Sequence, residues 1–163
     1  MENITDAVKG KLESLVSYLC QITKGFESIA VDIECANLKT AIFALSVEAK
    51  QYAEEIRDQM RELNIIIPLT ATDQLWKKIE SDIHEQADFS KGGEIVALCN
   101  NCEIYFNKFY EDLLLEYLPL KNFKDIITFQ LYATRFSFMK IRLLNKLRFS
   151  NSEKDSSNQV IVD

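Results

Sequence analysis

Asn37-Leu-Lys-Thr-Ala-Ile-Phe-Ala-Leu-Ser-Val-Glu-Ala-Lys-Gln-Tyr-Ala-Glu-Glu-Ile-Arg-Asp-Gln-Met-Arg-Glu-Leu-Asn64 is the run around which the chain is organised. Leu38, Ile42, Leu45, Ala49, Tyr52, Ile56, Met60 and Leu63 recur in it at steps of three and four. Glu48, Lys50, Glu54, Glu55, Arg57 and Asp58 fall off that stripe. The spacing predicts a long amphipathic helix. Asn37 can cap its start, and Asn64, a residue that tolerates a left-handed backbone, can end it.

The composition agrees with a helical reading. A chain of 163 residues that is 47% hydrophobic and 27% charged can bury one sizeable core without staples. Four glycines and two prolines leave few turn signals, and strand-type alternation is absent, so a few long helices are expected and the fold class is all-α. No apolar run is long enough for a membrane span, and the start Met-Glu-Asn-Ile-Thr-Asp lacks a signal peptide's basic and apolar segments. A cytoplasmic protein is therefore expected, with Cys20, Cys35, Cys99 and Cys102 reduced. The formal charge of -6 argues against nucleic acid or an anionic membrane as partner.

Outward from the central run, Leu12, Leu15, Leu19, Ile22, Phe26, Ile29 and Ile33 mark a first long helix over about 6–34. Only Cys35 and Ala36 separate it from Asn37, which forces an antiparallel hairpin. Pro68 interrupts the run after Asn64. A short helix over about 72–87 then carries Leu75, Trp76, Ile79 and Ile83 on one side as a cover for the core. The break Phe89-Ser90-Lys91-Gly92-Gly93 precedes a third long helix, marked by Ile95, Leu98, Cys102, Phe106, Phe109 and Leu113 and reaching about Tyr117. Asn122 and Asp125 open a fourth, to about Phe149. Residues 1–149 are expected to form the helical domain and the polar, aperiodic residues 150–163 a flexible tail. Four long helices with an extended crossover between the second and third make the connectivity that of a ferritin-like four-helix bundle.

Lys24-Gly25-Phe26-Glu27, Leu38-Lys39, the run from Leu45 to Ile56, Gln74-Leu75-Trp76-Lys77-Lys78, Cys102-Glu103 and Phe109-Tyr110 lie in an order and spacing that resembles a family of small bacterial four-helix-bundle domains. That family, of unknown function, is distantly related to rubrerythrin and ferritin, and the likeness spans about Leu12 to Leu147. It implies a bacterial, often stress-associated setting and no defined reaction. Catalytic members of the wider ferritin-like group hold two irons with a Glu from each of two helices and a Glu-x-x-His pair from each of the other two. Laid on this chain, the resemblance puts the first-helix Glu at Leu19 and the second-helix pair at Ala49 and Tyr52. The third-helix Glu falls on Glu103 and is kept, whereas the last-helix His falls near Phe138. One carboxylate cannot complete a di-iron set. The expectation is a repacked interior, with no cofactor and no catalytic residue, and with Glu103 near the seam and Tyr52 as its hydrogen-bond donor. The alternative is an iron-dependent oxidase or peroxidase-like protein, or an iron-binding one, with an atypical site around Glu103.

The remaining candidates carry less chemistry. Cys99-Asn100-Asn101-Cys102 lies mid-helix with no second pair, which favours packing over zinc or redox work. His84, the only histidine, has no nucleophile motif around it and reads as a solvated surface residue. The fourth helix carries Lys121, Lys124, Arg135, Lys140, Arg142, Lys146 and Arg148 against one acid, Asp125, so its charges complement acidic neighbours or an acidic partner. Its inner stripe is Ile127, Leu131, Thr134, Phe138 and Ile141. A second stripe of Phe129, Tyr132, Phe136, Met139 and Leu143 occupies another face, so either the short helix covers it or a homodimer does. The sequence thus predicts a non-catalytic binding or structural bundle.

Overall fold

The computed structural model describes residues 4–69, 72–86 and 92–161. Five helices make up the order: α1 (Asp6–Val31), α2 (Ala36–Glu62), α3 (Gln74–Gln86), α4 (Gly93–Leu114) and α5 (Phe123–Ile161), with no strand among the described residues. Each α1 and α2 stripe position is buried or packed against the core. Thr5 caps α1, its hydroxyl accepting from the Val8 N–H at 3.2 Å.

The two asparagines of the central run fare differently. The helix begins two residues earlier than an Asn37 cap would place it, so Asn37 lies inside its first turn and Cys35 stands at the cap without a side-chain hydrogen bond. The backbone reversal after Val31 fixes that start. Asn64 does end the helix. It adopts φ 58°, its N–H donates to the Arg61 carbonyl and the Ile65 N–H donates to that of Met60, which satisfies two of the carbonyls in the last turn of α2.

Side-chain bonds give the helix directions. Lys11 reaches Glu116 at 2.7 Å and the Tyr18 hydroxyl donates to the Cys102 carbonyl at 2.7 Å, so α1 and α4 run antiparallel. Arg135 meets Glu111 and Arg142 meets Glu103, so α4 and α5 do too. Ser137 donates to Glu48 while Gln130 donates to Glu55, which sets α5 antiparallel to α2. The four long helices form a ring in the order α1, α2, α5, α4, with the members of each diagonal pair parallel. The segment 63–92 must therefore travel back along the length of the assembly. It is tied down early, where Arg57 Nε donates to the Ile67 carbonyl at 2.9 Å.

Helix α3 lies against α1 and α4, on the side away from α5. The Trp76 ring rests on Phe26, centroids 5.7 Å apart, and a Cβ added to Gly25 would stand 2.3 Å from it, so the bare glycine makes the seat for the indole. Gln21 of α1 accepts from the Trp76 N–H at 2.9 Å, satisfying one free donor of the first turn of α3. The short helix is thus a cover, over a groove that excludes the outer stripe of α5.

At the far end, α5 continues through Ile161 and does not stop at Phe149, so the predicted boundary between domain and flexible tail at residue 150 falls inside a helix. No Gly or Pro interrupts 150–161, and extending a formed helix costs far less than starting one. Phe89, Ser90 and Lys91, part of the predicted break, lie outside the described residues. Gly92 is described, with φ 74°, and the Asn145 amide of α5 donates to its carbonyl at 3.0 Å.

Candidate functional site

The positions where the resemblance places metal ligands lie in the interior, and their chemistry is apolar. Leu19, Ala49 and Phe138 are fully buried and Tyr52 nearly so. The Phe138 ring meets Phe106 of α4 at 5.2 Å and Phe26 of α1 at 6.1 Å between centroids, both edge-on, and fills the space between three helices. On α4 the inward positions at this level belong to Cys99, Cys102 and Phe106. Glu103, one residue along, turns to the α5 flank, where Arg142 Nη2 holds both carboxylate oxygens at 3.3 and 3.4 Å. Glu103 and Tyr52 have different partners, so the expected bond between them does not form. Among the described residues no three His, Cys, Asp or Glu side chains converge as a metal-ligand set.

The polar chemistry inside the assembly sits one to two turns away and centres on a residue the sequence reading passed over. Gln130, fully buried on α5, accepts from the Tyr110 hydroxyl at 2.8 Å and donates to Glu55 at 3.0 Å and to the Tyr52 carbonyl at 3.4 Å. Burial pushes the Tyr110 phenol well above its usual range, so it stays a neutral donor. The network joins α2, α4 and α5 with its donors and acceptors matched, the condition under which buried polar groups favour one packing. Its one sequence signal is that Gln130 interrupts the stripe from Ile127 to Thr134.

Nearby, Ser137 donates to Glu48 at 3.0 Å. Burial pushes the Glu48 carboxyl above its ordinary value of 4.5, against bonds from Ser137 and Tyr52 that pull it down. A raised folded-state pKa means that the folded protein binds this proton more tightly than the unfolded chain. Glu48 therefore adds stability as pH falls through its folded pKa, levelling off below 4.5. Glu48→Gln keeps an oxygen for both donors and removes that titration. Urea midpoints across this range are expected to show the wild type gaining on the variant as pH falls, and a constant difference would contradict the assignment.

The other candidates settle into packing. Cys99 and Cys102 are fully buried, and burial drives the Cys99 thiol up to about 12, which leaves almost no thiolate for metal or exchange chemistry at neutral pH. His84 is exposed beside Glu80 and Glu94. Two basic residues of α5 are neutralised by α4: Arg135 bonds Glu111 at 2.7 Å and Asn107 at 2.8 Å, and Arg142 bonds Glu103. The inner stripe of α5 is buried, whereas the outer one is not: Phe129, Tyr132, Phe136, Met139 and Leu143 are exposed by between 52% and 65%.

No family model matches this chain, and no curated protein or solved structure is similar to it at a significant level. Among the described residues no helix is long and apolar enough to cross a membrane.

Proposed function

We propose that this chain is a ferritin-like four-helix bundle that has exchanged a di-iron interior for a packed one and serves as a non-catalytic binding or structural protein. Two long antiparallel pairs with a crossover running the length of the assembly support the ferritin-like reading. The observation that carries the functional half is the orientation of Glu103, the one carboxylate at a ligand position, which is spent on Arg142 at the α5 flank while Phe138 fills the interior. The resemblance adds a bacterial, cytoplasmic and stress-associated setting to this proposal. The test is iron content. Protein incubated with ferrous iron and passed through a desalting column is expected to retain far less than one iron per chain, in wild type and Glu103→Ala alike. Stoichiometric iron that disappears in Glu103→Ala would overturn the metal-free reading in favour of the rival, an iron-binding or iron-dependent oxidase or peroxidase-like protein.

A further inference from the structure

The outer face of α5 carries six exposed side chains, Phe129, Tyr132, Phe136, Met139, Leu143 and Leu147, at steps of three, four, three, four and four. That is the spacing of a coiled-coil seam, and it lies opposite the seam that α5 already buries. The short helix that could have covered it occupies the groove between α1 and α4 instead. We infer that this stripe is a docking surface for a second copy of the chain, whose α5 lies against it antiparallel, and this inference holds whether or not the interior binds metal.

Three features single out a second copy in that orientation. The first is the order of the stripe. About the central step from Phe136 to Met139, the flanking steps are four on both sides. A two-fold axis there sets Phe136 against Met139 of the second copy, Tyr132 against Leu143, and Phe129 beside Leu147. Each ring meets an aliphatic chain, the large-against-small pairing that lets facing helices interdigitate. The second is charge. On the α4 side the stripe is flanked by Arg135 and Arg142, both already neutralised by Glu111 and Glu103 of their own chain, and at its end by the exposed Lys146. On the other side it is flanked by Ala133 and Lys140. An antiparallel pair puts Lys140 beside Ala133, and Arg135 beside an Arg142 that brings its own carboxylate. A parallel pair would instead set the neutralised Arg135 against Lys140, which among the described residues brings no carboxylate of its own. The third is area. Aromatic and aliphatic side chains exposed by 45% to 65% present on the order of 700 Å² per copy, and burying two such faces reaches the ~1,200–2,000 Å² of a specific interface.

Sedimentation of the full chain tests the surface, and cross-linking tests the orientation. The wild type is expected to sediment at twice 18.8 kDa at ~100 µM. Phe136→Glu is expected to weaken association ~100-fold or more, with helical content unchanged and, at protein concentrations too low for association, the wild-type unfolding midpoint, because Phe136 is 65% exposed on its own chain. Under mild oxidation, an equal mixture of Phe136→Cys and Met139→Cys chains is expected to give the mixed disulfide well beyond the twofold excess over either self-linked product that random pairing produces. A wild-type monomer at that concentration, which would leave the stripe to a different protein, overturns the inference. So does a dimer that survives Phe136→Glu, or preferential self-linking of Phe136→Cys.

Discussion

Trp76→Ala is expected to lower the free energy of unfolding by about 3–5 kcal/mol, because it removes both the transfer energy of a buried indole and the packing of the cavity left behind. The ring is 8% exposed and lies on Phe26 and Gly25. The backbone bond from residue 76 to Gln21 can persist in the variant, so the loss reports the ring itself. Gly25 supplies an internal control. With Trp76 in place, Gly25→Ala drives a methyl into the indole and destabilises. In the Trp76→Ala background that clash is gone, and alanine is favoured over glycine within a helix by ~1 kcal/mol. The same substitution should then stabilise, and this change of sign in a double-mutant cycle identifies the contact. Urea unfolding measures all four proteins. A Trp76→Ala variant that unfolds at the wild-type midpoint, or a wild-type indole whose fluorescence resembles that of tryptophan in water, would contradict the placement of α3.

Phe138→Ala should cost a similar amount, about 3–5 kcal/mol, for a reason that bears on function. If the middle of the assembly is close-packed, the lost ring opens a void that Phe26 and Phe106 line, and their edge-on contacts with it are lost as well. Phe138→Glu should cost more, since it buries a carboxylate at a position where the described residues offer no facing cation. If the interior were instead a ligand chamber, removing the ring would enlarge an existing space and the protein would lose less than ~1 kcal/mol. Denaturant unfolding separates the two outcomes.

Much of this arrangement is legible in the sequence, and the part that is not has a common cause. Spacing finds the helices because a stripe at 3.6 residues per turn is a property of one segment. The stop at Asn64 is local too, set by one residue's tolerance of a left-handed backbone. What a segment packs against is not local. Leu75, Trp76, Ile79 and Ile83 announce a buried face, but the choice of the α1–α4 groove over α5 depends on Gly25 and Gln21, some fifty residues away. Glu103 fails for a related reason. Helix α4 is apolar around much of its circumference, with Cys99, Cys102, Phe106 and Tyr110 all buried and Tyr105 and Phe109 partly so. One residue of rotational phase therefore decides whether a carboxylate points inward or to Arg142, and a stripe so broad does not fix that phase. The continuation of α5 past residue 150 was hidden by weak helix propensity, a preference that an already formed helix readily overrides.

Under the proposed function the interior contributes stability by packing and none by holding metal. Any ion bound by the folded protein alone would raise its stability by mass action, about 2.7 kcal/mol at a hundredfold excess over its dissociation constant. Thermal unfolding under anaerobic conditions, with and without excess ferrous iron, measures this directly. Coincident transitions for the wild type and for Glu103→Ala are the result expected; a rise in Tm that saturates with added iron in the wild type and vanishes in Glu103→Ala would contradict the account.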